Sequence, residues 1–169
     1  MPLLHNRGMD KPSSPILYEY DFQPEIGEAV DILPGLKWLR LPLPFMLGHI
    51  NVWLLKDDTG WAIVDTGIHT GITRKTWKSV FGNVLNNAPV SRVLVTHLHP
   101  DHAGCAGWLC ERFDDDLYMP RDEYLLSSIL VSDTGLPAPQ EGRRFYRAAG
   151  FAEEHMSRYI VIFGGFGQV

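Results

Sequence analysis

The chain has 169 residues, with 15 Lys and Arg against 20 Asp and Glu, giving a formal net charge of −5. Its 45% hydrophobic and 21% charged content fits one globular domain and excludes a disordered tail or a fibre. The acidic balance, with a pI of about 5.7, argues against a general nucleic-acid or anionic-membrane binder, and no run approaches the roughly 20 apolar residues of a membrane span.

Residues 1–15 hold Pro2, Pro12 and Pro15 with little periodicity and read as a mobile arm before a domain over 16–169. Residues 16–22 suit a short strand. From 36 to 65 the pattern is β, with strands expected over 36–41, 49–55 and 61–65. Asp57-Asp58-Thr59-Gly60 is the turn sequence between the last two. Phe45, Met46 and Leu47 lie in a loop bounded by Pro44 and Gly48, where they could form either a lid or part of the core.

After Gly67 the period becomes helical. Trp77, Val80, Phe81, Val84 and Leu85 make one buried stripe, ended by Asn86, Asn87 and Pro89. Residues 90–96 are a short apolar run of the kind found in internal parallel strands. A second helix is expected from Ala103 to Phe113, then a strand over 116–119. Further helices are expected from Pro120, over 141–149 and over 153–163. Asp122 and Glu123 fall in the first turn of the helix beginning at Pro120, where the macrodipole favours anions.

The densest chemical signal is Thr96-His97-Leu98-His99-Pro100-Asp101-His102, which places three of the seven histidines within six residues. An apolar strand delivers the segment, and strand ends of such sheets are where ligands bind. Imidazole nitrogen and carboxylate oxygen suit zinc, and also iron or manganese. In an extended segment His97 and His99 point the same way and Asp101 continues that parity. His102 has the opposite parity and could face a second ion. Two ions about 3.5–4 Å apart would share a water and lower its pKa. Cys105 and Cys110 are too few and wrongly spaced for a disulfide framework or a paired zinc motif, which points to a reduced, cytoplasmic setting.

His97-x-His99-x-Asp101-His102, with Gly104 following, resembles the metal-binding signature of the metallo-β-lactamase superfamily. Ile63-Val64-Asp65-Thr66-Gly67 resembles that family's earlier strand-end motif. The resemblance covers roughly residues 36–130. It implies an α+β fold, the αββα sandwich of the metallo-β-lactamase type. It also implies that His97 and His99 bind a first metal and Asp101 and His102 a second, with Asp101 orienting or deprotonating the attacking water. Asp65 would hold the metal loop by hydrogen bonds.

The family completes its site from a second half, with another histidine, a bridging aspartate and a last histidine. After His102 this chain has only His155, which reads as a surface helix residue. The chain therefore reads as the first half plus connecting helices, an incomplete sandwich with a sheet edge open to pairing. The resemblance implies a zinc-dependent hydrolase of the glyoxalase II-like or lactonase-like branch, with two ions in the complete site. Its metal-activated water would attack a small-molecule ester, thioester, lactone or amide carbonyl. An iron-dependent sulfur or oxygen oxidoreductase on the same fold and an inactive truncated module are the alternatives.

Overall fold

The computed structural model describes residues 20–168. The arm expected over 1–15 and most of the strand expected over 16–22 lie outside them, and residues 20–22 are not strand. The first strand is instead β1 (Ala29–Leu33), whose register on its neighbour slips between Asp31 and Leu33. That irregularity blurs the period-2 signal a sequence reading depends on.

β2 (Leu36–Pro42), β3 (His49–Lys56) and β4 (Trp61–Val64) continue the sheet as antiparallel neighbours. β5 (Val90–Leu94) joins β4 in parallel, and β6 (Leu117–Tyr118) joins β5 in parallel. The six strands lie in chain order. Asp57 explains the tight turn between β3 and β4. Its carboxylate accepts from the Thr59 and Gly60 amides at 2.9 and 2.8 Å, and it also accepts the Ser91 hydroxyl of β5.

Alternation along the strands decides which face is closed. Leu39 and Leu41 of β2, Ile50, Val52 and Leu54 of β3, Ile63 of β4 and Val93 of β5 are buried together. α1 (Gly71–Asn83) covers them with Trp77, Val80 and Phe81. Thr70 caps this helix by accepting the Thr73 amide at 3.1 Å. Asn86 and Asn87 end the segment in left-handed backbone, a conformation asparagine tolerates well. Each fully buried aliphatic here contributes roughly 1.5–3 kcal/mol.

The opposite face is open. Val30, Trp38, Trp53, Val64, Leu94 and Tyr118 are register partners in one row running across all six strands. None of the six is fully buried. Trp38 and Trp53 stack at 6.3 Å between ring centroids, and the Trp38 indole donates to Asn51 at 2.8 Å. The apolar surface left uncovered is thus a sheet face, while the two edges, β1 and β6, are short.

The helix expected over 103–113 is two helices, α2 (Pro100–Ala103) and α3 (Ala106–Phe113). The break lies at Cys105, whose amide donates to Gly67 O at 3.0 Å and Thr66 Oγ1 at 3.1 Å rather than up its own helix. Gly104 permits that approach, because a Cβ there would sit 2.4 Å from Pro100 O and 2.7 Å from His69 N. Leu109 and Ala106 of α3 close the core, and Phe113 meets Phe81 edge-on at 5.0 Å.

α4 (Arg121–Ser132), α5 (Gln140–Ala148) and α6 (Glu153–Gly165) follow, with Pro120 just before α4 rather than inside it. They are joined by an Arg147–Glu153 ion pair at 2.9 Å and by Gly135 N donating to Gly164 O at 2.8 Å. Among the described residues no helix is long and apolar enough to cross a membrane.

Candidate metal centre

β4 and β5 end side by side, and the metal-loop residues leave the sheet there. Asp65 follows β4 directly, with its amide on Leu94 O at 2.8 Å and a backbone φ of 64°. A non-glycine residue in this left-handed region costs about 1–2 kcal/mol, although aspartate bears it better than most. The strain aims a buried carboxylate at the loop after β5. Asp65 Oδ1 accepts the Thr96 amide at 2.8 Å, the Thr96 hydroxyl lies at 2.9–3.0 Å from both oxygens, and Oδ2 meets His102 Nδ1 at 2.9 Å.

These partners assign the histidine tautomers. A carboxylate only accepts, so His102 carries a proton on Nδ1, and the neutral ring then has its lone pair on Nε2. The Thr96 hydroxyl donates to Asp65 and accepts from His97 Nδ1 at 2.9 Å, so His97 also keeps its Nε2 lone pair. Asp65 thus sets one imidazole directly and a second through a hydroxyl. Burial, followed by repulsion from His102 and His99, pushes His97 below its ordinary value of 6.5, favouring the neutral form that can ligate.

His97 Nε2 and His99 Nδ1 lie 3.0 Å apart, and the His97 and His102 ring centroids are 4.0 Å apart. Asp101 Oδ2 stands 3.6 Å from His102 Nε2. The segment is not extended: the chain bends over residues 96–98, and that bend, not strand parity, brings His97 and His99 together. Pro100 begins a helical turn, and Asp101 and His102 reach the cluster from α2 instead. The structure therefore brings His97, His99, Asp101, His102 and Asp65 to one place.

The side chains of the other candidates are not among the hydrogen bonds and ion pairs that tie this cluster together. His155 is on α6, more than half exposed, with its ring 6.0 Å from Phe151. His49 opens β3 opposite Pro42, and His69 is exposed beyond Gly67. Phe45, Met46 and Leu47 project as an exposed turn rather than entering the core. The Cys105 thiol is buried and pushed up to about 11 by desolvation, with Sγ 3.4 Å from Ile68 O, so it stays protonated at neutral pH.

As they stand, no three His, Cys, Asp or Glu side chains among the described residues form a metal-holding group. His97 Nε2 and His99 Nδ1 are hydrogen-bonded to each other at 3.0 Å. The donor chemistry nonetheless fits a divalent cation. Tetrahedral zinc ligands lie about 3.3 Å apart, so this pair would need to open by only about 0.3 Å. The lone pairs of His97 and His102 are already oriented by groups behind them, the usual arrangement for ligating histidines.

Three supporting residues escape a sequence reading. Thr66 is fully buried; its hydroxyl donates to His102 O at 2.7 Å and its carbonyl accepts the Trp77 indole at 2.7 Å. The small Asp65-Thr66-Gly67 turn is the signal that could have found it. Thr96 stands inside the motif but carries no ligand chemistry of its own. Glu123 accepts the Leu98 amide at 2.8 Å, and nothing in its local sequence marks it, because only the β5–β6 pairing brings α4 to the loop.

The 45% identical structure of a beta-lactamase domain protein from Burkholderia ambifaria matches with a TM-score of 0.63, over 66% of this chain and 36% of that one. The metallo-beta-lactamase family protein TTHA1429 from Thermus thermophilus is 26% identical, with a TM-score of 0.50, over 67% of this chain and 42% of its own. The "Probable metallo-hydrolase YqjP" of Bacillus subtilis (strain 168) is 30% identical over 80 residues, which are 47% of this chain and 24% of that protein. The matched stretches thus span less than half the length of each of these three proteins. The family model described as the metallo-beta-lactamase superfamily matches residues 46–161, a stretch containing every residue of the cluster, and by that match the chain belongs to the metallo-beta-lactamase superfamily.

Proposed function

We propose that the chain carries the metal loop of a zinc-dependent hydrolase acting on a small-molecule ester, thioester, lactone or amide carbonyl. His97 and His99 would hold one ion, and Asp101 and His102 a second. The observation that carries this reading is Asp65, whose single carboxylate orients His102 directly and His97 through Thr96. A purely structural strand end has no need for two imidazoles held through Nδ1 with their Nε2 atoms turned into one cluster.

A divalent cation, when bound, supplies Lewis-acid polarisation of a carbonyl and acidifies water towards neutrality. The chain's own residues do the rest. Asp65 keeps the His102 proton on Nδ1 throughout. Asp101, with an oxygen 3.6 Å from His102 Nε2, would accept the proton of the attacking water. Thr66 holds the α2 backbone through His102 O, so that both α2 side chains keep their aim.

The test is metal analysis of the purified chain, paired with hydrolysis assays on thioester and lactone substrates. Zinc bound by the wild type and lost in the double variant His97→Ala/His99→Ala is the expected result. Failure of the wild type to bind any divalent metal would sink the proposal. Tightly bound iron without hydrolysis would move it to the oxidoreductases.

A further inference from the structure

We infer that Glu123 is a positioning residue for the His97–His99 pair, its carboxylate holding the amide of Leu98, the one residue between the two imidazoles. This rests on the metal reading above. The last backbone ladder bond beside the loop runs from Val95 N to Tyr118 O at 2.9 Å. Beyond it the loop amides have no strand partner, and two of them turn to carboxylates. Thr96 N donates to Asp65 at 2.8 Å, and Leu98 N donates to Glu123 Oε2 at 2.8 Å. The metal loop is therefore clamped from two sides by groups on different elements.

A simpler role for Glu123 is the helix macrodipole, since it lies in the first turn of α4. That role needs only proximity to the helix's own amides, and Asp122 already supplies an acid there. Glu123 instead reaches across to Leu98, and its reach is fixed: β6 binds β5 through Tyr118, and α4 begins three residues later. Leu98 and Glu123 are both partly buried, whereas Asp122 is exposed. Holding the Leu98 amide fixes the plane of the His97–Leu98 peptide, and with it the direction in which the His97 side chain leaves the backbone and the point from which the chain runs on to His99. A carboxylate at that point also offsets the charge of a cation held by two neutral imidazoles.

The test uses the whole chain and two readouts: amide hydrogen exchange at Leu98 in metal-free protein, and Co2+ affinity by titration of its visible absorption. Glu123→Ala should lose Leu98 protection and weaken cobalt binding about 10–100-fold, the range for groups behind metal ligands. Glu123→Gln, which keeps an acceptor at the same reach, should restore protection and most of the affinity. Glu123→Asp keeps the charge but falls short of Leu98, so it should behave as alanine does, and it stands in should alanine not fold. Asp122→Ala should change neither readout. Wild-type affinity in both the alanine and aspartate variants, or equal weakening by Asp122→Ala, overturns the inference. A wild type that protects Leu98 but binds no cobalt overturns the metal reading and this inference with it. An unprotected Leu98 in the wild type overturns the clamp alone.

Discussion

Strands β2–β5 with α1 and α3 bury Leu39, Leu54, Ile63, Trp77 and Leu109 completely. By contrast, α4 and α5 bury no side chain, and they leave Tyr124, Leu125, Ile129 and Phe145 more than half exposed. α6 buries only Met156. Both regions are rich in apolar residues, so composition does not separate them. What separates them is whether an apolar face has a second layer to meet. The metal loop is hydrogen-bonded to the closed region through Asp65 and Thr66, and to α4 through Glu123.

Trp77 should show the largest effect. Trp77→Ala removes a fully buried ring and leaves the Thr66 carbonyl without its indole partner. A loss of about 3–5 kcal/mol is expected in urea unfolding, a large share of the ~5–15 kcal/mol that holds a domain together. A loss below about 1 kcal/mol would erase the contrast between the two regions.

Asp57 sharpens the comparison through pH. Hydrogen bonds from Ser91 and then from the Thr59 and Gly60 amides hold its carboxyl down at about 2, against an ordinary 3.8. A depressed carboxyl stabilises the fold above its unfolded value, and the contribution is lost as pH falls from about 4 to about 2. Asp57→Asn should therefore be less stable than the wild type at neutral pH. The gap should narrow on acidification through that window, as read from thermal midpoints. A gap that stays constant with pH would mean that the turn is held without the charge.

The smallest effect is expected at Ile129. Its side chain is 58% exposed, so Ile129→Lys should change stability by no more than about 0.5 kcal/mol. A loss above about 2 kcal/mol would show that α4 has a packed neighbour, and the two regions would then differ in partner rather than in kind.

Local chemistry makes much of this legible. The Asp57–Gly60 turn, the Trp77 stripe and the apolar run ending in His97 each announce themselves within ten residues, and each is where the sequence points. β1 does not, because its register slips at the residues that would have shown alternation. The α2 turn reads in sequence as an extended continuation of β5, and it is not one. The chain already bends over residues 96–98, before Pro100, yet helical backbone still delivers Asp101 and His102 to the same place. Glu123 cannot be found at all from its own segment. Its partner lies 25 residues earlier, and only the short β5–β6 pairing makes them neighbours.

Asp65 is constrained twice, once by its backbone and once by its side chain. The left-handed conformation admits glycine, asparagine or aspartate at little cost and penalises nearly every other residue. Glycine would relax the chain but remove every acceptor that the Thr96 amide and the His102 imidazole use. Asparagine would fit the backbone, yet its NH2 could face His102 Nδ1 and invert that ring's proton. The set of residues that satisfies both demands contracts to one. A position whose tolerance is this narrow can drift only if Thr96 and His102 change with it, so the three are expected to vary as a unit or not at all.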